Sequence, residues 1–506
     1  MKATSTHHAS GWDASPRRPR TVRGAVPTIA KILAMTCGIW AVPSACLLLL
    51  AGCAVGPNFH APTVSTPQSW GGVGTNATPA QPGEASSVPT SESALVTNWW
   101  TAFNEPTLDS LVARAMEANL DLKQAESRIR QARAQRGVIA GALWPSADAS
   151  GEYQRSRQKS AGFMGVANLY QAGLDATWEL DVFGGTRRAV EAANSDIAAS
   201  IEDRRDVAVT LIAEVALNYI SLRGLQQEIV IAKDNLKAQA HSVDITRQRF
   251  HGGFIGKLDV ANAEAQVATT QSQIPVLEAA ARQTIYALSL LLAREPAALV
   301  DELSMGEPIP LTPPEVPVGL PSDLLRRRPD IRRAEAQLHG ATARIGVATA
   351  ELFPKFSLTG SLGTSGAKPS ALVNWDNRFY SFGPTVTWAI FRAGAIRESI
   401  NVQNALEEQA LLSYQKAVLT ALSDVESALV AYVREQQHRQ ALAEAVAANR
   451  EAVALATQLY AQGETDFLSV LIAQRSLYAV QDSLVQSERA VATDLVAVYK
   501  ALGGGW

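Results

Sequence analysis

The chain of 506 residues is long enough for several domains or for one elongated body with a large buried surface. Residues 1–52 hold six basic residues and one acidic residue, and without them 39 basic residues remain against 47 acidic ones. This mildly acidic balance lacks the basic surface that nucleic-acid binding needs, so no nucleic-acid partner is expected.

The N-terminal segment has the order of a secretory signal. Basic residues precede an apolar run from Ile32 to Leu50, and small residues stand directly before Cys53. The motif Leu-Ala-Gly-Cys that ends at Cys53 resembles the bacterial lipobox, so residues 1–52 are interpreted as a lipoprotein signal peptide. An uncleaved anchor is the alternative, because the apolar run is about as long as a spanning helix.

The lipobox resemblance implies that Cys53 is the first mature residue and carries a covalent diacylglycerol and an N-acyl lipid. No other cofactor and no metal is expected. Cys37 and Cys46 lie within the signal, so no disulfide is expected in the mature chain. Ala54, which is not aspartate, points to the outer membrane under the lipoprotein sorting rule. Past the signal no apolar run of about 18 residues is found, so further membrane passage is expected to use strands.

Two proline-rich stretches divide the mature chain. Residues 53–98 are rich in Pro, Ser, Thr and Gly and are interpreted as an extended tether between the lipid and the body. A second proline cluster predicts a linker at 307–321. The linker separates a first unit at 99–306 from a second unit at 322–506.

The two units repeat one pattern. DLKQAE at 121–126 aligns with DIRRAE at 330–335, a shift of 209 residues. Further along, a shift of 210 carries three landmarks onto the second unit: Trp178, Gly184 and Gly253 onto Trp388, Gly394 and Gly463. Solenoid repeats have units of about 20–50 residues, so this longer period predicts a duplicated, domain-sized unit.

Two strands are predicted in each unit, because apolar and polar residues alternate over four stretches. The stretches run from Ala147 to Tyr153, from Tyr170 to Val182, from Phe356 to Leu362 and from Tyr380 to Ile390. The strands predicted from these stretches run for about 10 to 12 residues, which matches tilted strands of a membrane barrel, apolar outside and polar inside. A soluble sheet with one buried face would show the same alternation.

The remainder is predicted to be long, Ala-rich helix. Apolar residues recur at every seventh position near the end of each unit: Val260, Val267, Ile274, Ala281 and Leu288, and Val470, Leu477, Leu484, Val491 and Val498. Such heptads indicate helices packed lengthwise on each other. An unbroken helix between Gly184 and Gly253 would span about 100 Å, and Pro275 is expected to bend its helix locally.

Four strands cannot close a barrel. An open strand edge in lipid leaves amides unpaired at a cost of several kcal/mol each, so the chain is expected to oligomerise. Three copies would supply twelve strands, whereas two would give a narrow eight-stranded barrel. This argument favours more than two chains without fixing three.

Six motifs are distributed along the mature chain. They are Val55-Gly56-Pro57, Asn98-Trp99-Trp100 with Phe103, LRRRPDIRRAE at 325–335, Ile345-Gly346, Leu352-Phe353-Pro354 and YKALGGGW at 499–506. Together they resemble the outer-membrane efflux lipoproteins of the TolC/NodT/OprM family. The resemblance implies a mainly α fold with a membrane β-barrel: a homotrimer with twelve strands in the outer membrane and a long helical barrel in the periplasm.

The resemblance also implies a function. The protein would be the outer-membrane channel of a tripartite efflux system, conducting small molecules passively from a periplasmic adaptor (membrane fusion protein) and an inner-membrane pump. It would be lipid-anchored in the outer membrane and extend into the periplasm. The polar strand faces would line a water-filled lumen, with the loops from Gln158 to Leu169 and from Gly366 to Arg378 outside.

Gly253 and Gly463, each followed by a new helix, are interpreted as the turns at the periplasmic hairpin tips. In the family, the helix after the second tip carries gate residues, whose places here are Leu468, Ser469, Ile472 and Arg475. Leu468 and Arg475 fit the family pattern, and so does Asp259 in the first unit.

Two gate positions depart from the family. Relatives often place carboxylates where this chain has Ser469 and Ile472, which puts in doubt an acidic ring and the strong cation selectivity that such a ring would give. The alternative interpretation of Asp259 and Arg475 is that both are ordinary solvated helix charges.

The chain is not expected to be an enzyme. The histidines of the mature chain lack ligand spacing, the glycines at 503–505 follow a helix and do not precede one, and no carboxylate pair suggests acid–base work. The competing interpretation is a lipid-anchored periplasmic coiled-coil structural or adaptor protein without a pore. Such a protein would share the lipobox and heptads but would not need four strands of bilayer length.

Overall fold

The computed structural model describes residues 54–71, 88–90, 97–160, 163–313 and 315–506. Cys53 and the proposed signal peptide, residues 1–52, lie outside these ranges. The described part is built mainly from long helices, joined to one four-stranded sheet.

The first unit runs from short helices through a strand hairpin to two long helices. Strand β1 (Val88–Thr90) precedes the unit, which contains a 3-10 turn at Trp99–Phe103, α1 (Pro106–Ala118), α2 (Leu120–Gly141), β2 (Ser146–Ser160), β3 (Phe163–Leu180), α3 (Gly185–His251) and α4 (Lys257–Leu291). A 3-10 turn at Pro296–Leu299 and the single-turn helix α5 (Val300–Leu303) end the unit.

The second unit repeats this order after the linker. Strand β4 (Glu315–Pro317) lies in the linker, and the unit contains α6 (Leu324–Arg327), α7 (Pro329–Ala350), β5 (Lys355–Gly366), β6 (Arg378–Thr387), α8 (Ala395–Gln462) and α9 (Phe467–Ala501). Further 3-10 turns lie at Pro321–Asp323, Pro369–Val373 and Trp375–Asn377.

The element bounds reproduce the sequence shift. Helices α2 and α7 have 22 residues each and begin 209 positions apart, at residues 120 and 329. Helices α3 and α8 have 67 and 68 residues and begin 210 apart, at residues 185 and 395. Both return helices, α4 and α9, have 35 residues. At 1.5 Å per residue, α3 is about 100 Å long, as predicted for an unbroken helix.

One window within α3 is long and apolar enough to cross a membrane, and 67% of that window is buried in the protein. Its residues include Leu211, Val215 and Tyr219, which pack into the main hydrophobic core. A buried core helix explains this window, because apolar residues that pack against neighbouring helices raise hydropathy in the same way as a spanning segment does.

The sheet has the strand order β2-β3-β5-β6, and all neighbouring pairs are antiparallel. The prediction of four strands is confirmed, but the first hairpin is longer than predicted, with 15 residues in β2 and 18 in β3. Ser160 pairs with Phe163, so most of the loop predicted from Gln158 to Leu169 is strand. The alternation of apolar and polar residues stops after Tyr153, although the backbone pairing of β2 with β3 continues to Ser160. The sequence pattern therefore did not predict the outer part of this hairpin. The second predicted loop, Gly366 to Arg378, has the predicted bounds.

The main core lies where the two units meet. It gathers side chains from α1, α3, α4, the linker, α8 and α9. Trp99 is buried and stacks on Tyr499, with ring centroids 5.2 Å apart. The motifs at 98–103 and 499–506 are therefore explained by this contact between the start of the first unit and the end of the second.

The tether is not a free spacer where the structure describes it. Trp70 is only 6% exposed and donates its indole N–H to the carbonyl oxygen of Gly319, 3.0 Å away. Strand β1 pairs in parallel with β4 of the linker. The interpretation of 53–98 as an extended tether is corrected for these parts: burial of the indole and backbone pairing hold the segment on the body.

Candidate functional site

The sheet has one apolar and one polar face. The register places apolar residues of all four strands on the same side: Ala149 and Tyr153, Tyr170, Leu174 and Trp178, Phe356, Leu358 and Leu362, and Tyr380, Phe382 and Val386. The opposite side carries Asp148, Glu152, Gln171, Asp175, Ser357, Thr359, Ser361 and Thr385. Phe382 is 82% exposed in the single chain. A coherent apolar face left in the open marks a surface for lipid.

The sheet is open at both edges. Strands β2 and β6 are its edge strands, and each pairs on one side only within the described residues. Unpaired strand edges are not tolerated inside a bilayer. Other strands must therefore cover these edges wherever the sheet is embedded in lipid.

The two predicted tip glycines occupy matching helix-to-helix turns. Gly253 follows α3 with φ +75° and Gly463 follows α8 with φ +85°, the left-handed region that favours glycine. The next amide, of Phe254 or Glu464, donates back to the carbonyl of Arg249 or Leu459 at 3.0 Å in each turn. Both turns thus end a long helix in the same way and reverse the chain into α4 or α9.

The candidate gate residues lie in the first turns of the return helices. Leu468 and Ile472 are exposed on α9, whereas Ser469 donates its amide and hydroxyl to Asp466, at 3.0 and 2.8 Å. Hydrogen bonds from the hydroxyl and the amide of Ser469 lower the pKa of Asp466. Asp259 is half-buried in the first turn of α4, at the position equivalent to Ser469 under the 210-residue shift.

Arg475 connects the two return helices. Its Nε donates to Oε1 of Gln266 on α4 at 2.7 Å. Within the described residues, the structure gives no hydrogen bond or ion pair between Arg475 and Asp259. The predicted gate residues therefore share a region, but the contact that joins the helices involves Gln266, which the sequence did not identify.

Gln266 belongs to a polar seam between the long helices. Its buried or half-buried members are Gln239, Ser242, Thr246, Gln266, Thr270 and Gln474. Gln474 donates to Ser242 at 2.8 Å, and Thr246 donates to the Ser242 carbonyl at 2.7 Å. The sequence signal that could have identified this seam is the presence of polar residues near the heptad positions of α4. Such a seam packs less apolar surface than the core, so its helices separate at a lower cost.

The segment after Cys53 is clamped at the junction of sheet and helix. Arg188 is buried and donates to the Val55 carbonyl at 3.1 Å and to the Asn58 side chain at 2.7 Å. The Val55 amide donates to the carbonyl of Phe183, just beyond β3, at 3.1 Å. The start of the described chain is thus held beside the base of the sheet.

The basic motif at 325–335 joins the two units. Arg328 donates to Asp330 at 2.7 Å, to Asp424 at 3.0 Å and to the Ala501 carbonyl at 3.0 Å. Burial by itself would raise the pKa of Asp330, but the hydrogen bond and charge of Arg328 hold this pKa below its usual value. The motif has a structural role in this chain.

No arrangement suited to catalysis or metal binding emerges from the residues that the structure describes. No group of three or more His, Cys, Asp or Glu side chains there is placed to hold a metal ion. What these residues form is a wall with an apolar outer face, extended by helices of about 100 Å. This combination defines a membrane channel protein with a strand wall and a long helical extension.

Comparison with known proteins identifies the family. The family model described as "Outer membrane efflux protein" matches residues 111–294 and 320–504, one match in each unit. The chain belongs to this family. It is therefore an outer-membrane channel component of an efflux system, as predicted, and its relatives are channel and efflux proteins, not enzymes.

Individual relatives cover nearly the whole chain. Nodulation protein T of Rhizobium leguminosarum bv. trifolii is 32% identical over 463 residues, which is 91% of this chain and 96% of the relative. Pyoverdine export outer membrane protein OpmQ of Pseudomonas aeruginosa is 37% identical over 431 residues, covering 82% and 89%. The solved outer-membrane channel OprN is 35% identical with a TM-score of 0.82, covering 90% of this chain and 100% of that one.

Proposed function

We propose that three copies of this chain form a passive duct through the outer membrane, sealed to an inner-membrane pump by a periplasmic adaptor. The observation that carries the proposal is the four-stranded sheet, with one lipid-suited face and two open edges. Three such sheets joined edge to edge give a closed barrel of twelve strands with a polar lumen. Two copies would leave little room inside.

The proposed cargo is small molecules, including drugs and toxic compounds. The relative OpmQ is named for pyoverdine export, whereas nodulation protein T carries no cargo in its name. The lumen-facing side of the sheet offers short polar and acidic side chains and no enclosed binding pocket among its described residues. Such a wall discriminates weakly, which leaves selection of the cargo to the pump.

The proposed lipid on Cys53 fits the placement of the segment that follows it. Val55 is hydrogen-bonded beside Phe183, where the sheet ends and α3 begins. A diacylglycerol on Cys53 would then enter the bilayer beside the barrel. The lipid would hold the periplasmic end of the sheet at the membrane surface.

The gate is proposed to lie where α4 and α9 begin, at the far end of the long helices. Leu468, Arg475 and Asp259 are its candidate residues, and Arg475 holds the two return helices together through Gln266. Gly253 and Gly463 form the turns at this end. Separation of the helices along the polar seam would widen the passage.

Two neighbouring positions on β6 test the barrel. Phe382→Lys puts a charge on the proposed lipid face, whereas Ser381→Lys puts it on the lumen face of the same strand. A lysine in the middle of a lipid-facing strand costs about 2–4 kcal/mol, so Phe382→Lys should abolish detergent-resistant trimers and stepwise conductance in planar bilayers. Ser381→Lys should keep both. Equal behaviour of the two variants, or a wild-type protein that is monomeric in membranes, refutes the barrel.

Arg475→Ala tests the gate. Hydrogen bonds to charged groups contribute about 1.5–3 kcal/mol, so losing the bond to Gln266 should raise the open fraction of reconstituted channels at least roughly tenfold. Arg450→Ala removes an exposed charge from α8 and serves as the control. An unchanged open fraction in Arg475→Ala would remove this residue from the gate while leaving the barrel intact.

A further inference from the structure

The first hairpin continues beyond the apolar part of the sheet, and its outer face changes character there. Tyr153 and Tyr170 are directly opposite each other, with ring centroids 4.7 Å apart, and Tyr170 is also opposite Gly366 at the end of β5. Beyond this tyrosine pair, β2 and β3 run on to Ser160 and Phe163 without β5 beside them. This extension therefore continues past the last paired residues of β3 and β5.

The tyrosine pair marks one edge of the apolar band. From Tyr170 to Leu180, β3 has eleven residues, which is the length of strand that crosses a hydrocarbon core. Trp178 and Trp388 lie near the other end, and each donates its indole N–H to a backbone carbonyl at 3.0 Å. Aromatic residues with polar tips at both ends of an apolar band are typical of the two membrane–water boundaries.

Basic residues follow directly on the lipid-facing side. The register puts Arg155 opposite Asn168 and Arg157 opposite Val166, on the same face as Tyr153. Both arginines are exposed, and among the described residues neither forms a hydrogen bond or an ion pair. The lumen side of this extension carries uncharged residues such as Gln154 and Ser156. The charge is therefore confined to the outer face.

The heights of the two arginines match the lipid headgroups. At about 3.3 Å per residue, Arg155 and Arg157 lie about 7 Å and about 13 Å along the strand from Tyr153, or about 5 Å and 9 Å above it after a tilt of about 45°. The headgroup layer is about 5–8 Å thick on each side of the hydrocarbon core. Arg155 falls within this layer, and Arg157 reaches it from its outer boundary because long basic side chains bend toward a membrane interface.

We propose that Arg155 and Arg157 form a binding site for the phosphate groups of lipid A, the acylated, phosphorylated glucosamine disaccharide that anchors the outer-leaflet glycolipid in the membrane. Guanidinium groups bind phosphate through paired, charge-assisted hydrogen bonds. Two unpaired guanidinium groups on a lipid-facing surface whose described strand residues include no acidic residue complement an anionic headgroup. Arg378 lies on the same face of β6, the other edge strand, in register with Thr364 of β5. The site rests on the proposed barrel.

Native mass spectrometry of the acylated protein tests the site. Oligomers are mixed with lipid A or with the same lipid after removal of its phosphates, and bound lipids are counted. The wild-type protein should bind the phosphorylated lipid about tenfold more tightly, and Arg155→Gln/Arg157→Gln should lose this preference. Arg155→Lys/Arg157→Lys should keep most of it. Lys123→Gln/Arg133→Gln, which removes two exposed charges from α2, should match the wild type.

Several outcomes overturn the proposal. Equal binding of both lipids by the wild type does so, and so does an unchanged preference in Arg155→Gln/Arg157→Gln. A loss of oligomers in that variant without a change in lipid binding would assign the arginines to contacts between copies. Conductance is measured on the same preparations: a conducting wild type without lipid preference refutes the lipid site alone, whereas a monomeric, non-conducting wild type refutes the barrel and the site together.

Discussion

Gly56 and Gly346 touch so closely that a Cβ atom on Gly56 would stand 2.4 Å from the Cα atom of Gly346. Gly56 has φ +93° and Gly346 lies within α7, so the segment after Cys53 crosses the helix where a side chain is missing. A Cβ on Gly346 would meet the Val55 carbonyl oxygen and the Arg188 side chain, both at 2.8 Å. Gly346 therefore permits the docking of this segment.

Replacement of Gly346 by alanine should loosen the segment. Overpacking of this kind costs about 1–3 kcal/mol, so Gly346→Ala should lower the melting temperature and speed proteolysis within 54–71. Gly137→Ala is the matched control, because Gly137 is the equivalent residue of α2 and has open space around its Cβ position. That control should be neutral or stabilising, since alanine favours helix. Equal proteolysis of the two variants would show that the close contact is not needed.

The attachment of the start of the linker to α3 should depend on the buried guanidinium group of Arg223. This residue is 1% exposed, forms an ion pair with Glu307 and donates to the carbonyl of Met305 at 2.8 Å. Burial raises the pKa of the neighbouring Tyr219 to about 12, so its hydroxyl stays protonated and donates to Glu105 and Glu307.

Arg223→Met should destabilise the protein by about 2–3 kcal/mol, because solvent reaches Glu307 and partly compensates for the loss of its partner. Arg223→Met/Glu307→Gln should recover part of the loss, because it no longer leaves an unpaired carboxylate. Thermal unfolding of the two variants and of Glu307→Gln alone measures this coupling. Additive losses in the double variant would show that the pair is not coupled.

The stability of the protein should rise on mild acidification, because of Asp494 on α9. Burial, and then the charge of Glu435, raise the pKa of Asp494 from 3.8 to about 6. A carboxyl group with a raised folded-state pKa binds its proton more tightly when folded, so stability increases as the pH falls from 7 through about 6 and levels off near the unfolded value.

Asp494→Asn should remove this part of the pH dependence. At pH 7.5 the variant should be more stable than the wild type by about 1 kcal/mol, because the half-exposed carboxylate of the wild type is only partly desolvated. Melting temperatures at pH 5 and pH 7.5 provide the measurement. A variant that keeps the full wild-type difference between these two pH values would assign the effect to another group.

The second tip turn should tolerate no side chain at Gly463. Its φ of +85° costs a residue with a Cβ atom about 1–2 kcal/mol, so Gly463→Ala should speed hydrogen exchange at the end of α8 and the start of α9. Gly256→Ala, in the other tip turn, is the control because Gly256 has φ −84°. Faster exchange in both variants alike would mean that the turn conformation is not the cause.

Much of this architecture was predictable because the duplication shows the same pattern of helices, strands and turns twice in one sequence. The 209- and 210-residue shifts located both pairs of long helices, and Gly253 and Gly463 marked their turns. Alternation also located four strands, since each strand has a lipid-suited face. Patterns of period 2 and period 7 record which face of an element is apolar, and the fold is organised by those faces.

Other features left weaker traces in the sequence. The hairpin extension carries Arg155 where the alternation requires an apolar residue, so the strand seemed to end at Tyr153. The docking of Val55 and Trp70 depends on partners more than 100 residues away, Arg188 and Gly319. Gln266 was missed for the same reason, because only the contact with Arg475 distinguishes it from any other helical glutamine.

In the proposed barrel, the open edges of β2 and β6 also set the order of assembly. A sheet whose outermost strands find partners only on other polypeptides cannot complete its hydrogen bonding alone, so membrane insertion has to follow encounters between subunits. The rate of insertion should then grow faster than linearly with the amount of protein delivered to the membrane, and scarce subunits should wait as incomplete species at its periplasmic surface.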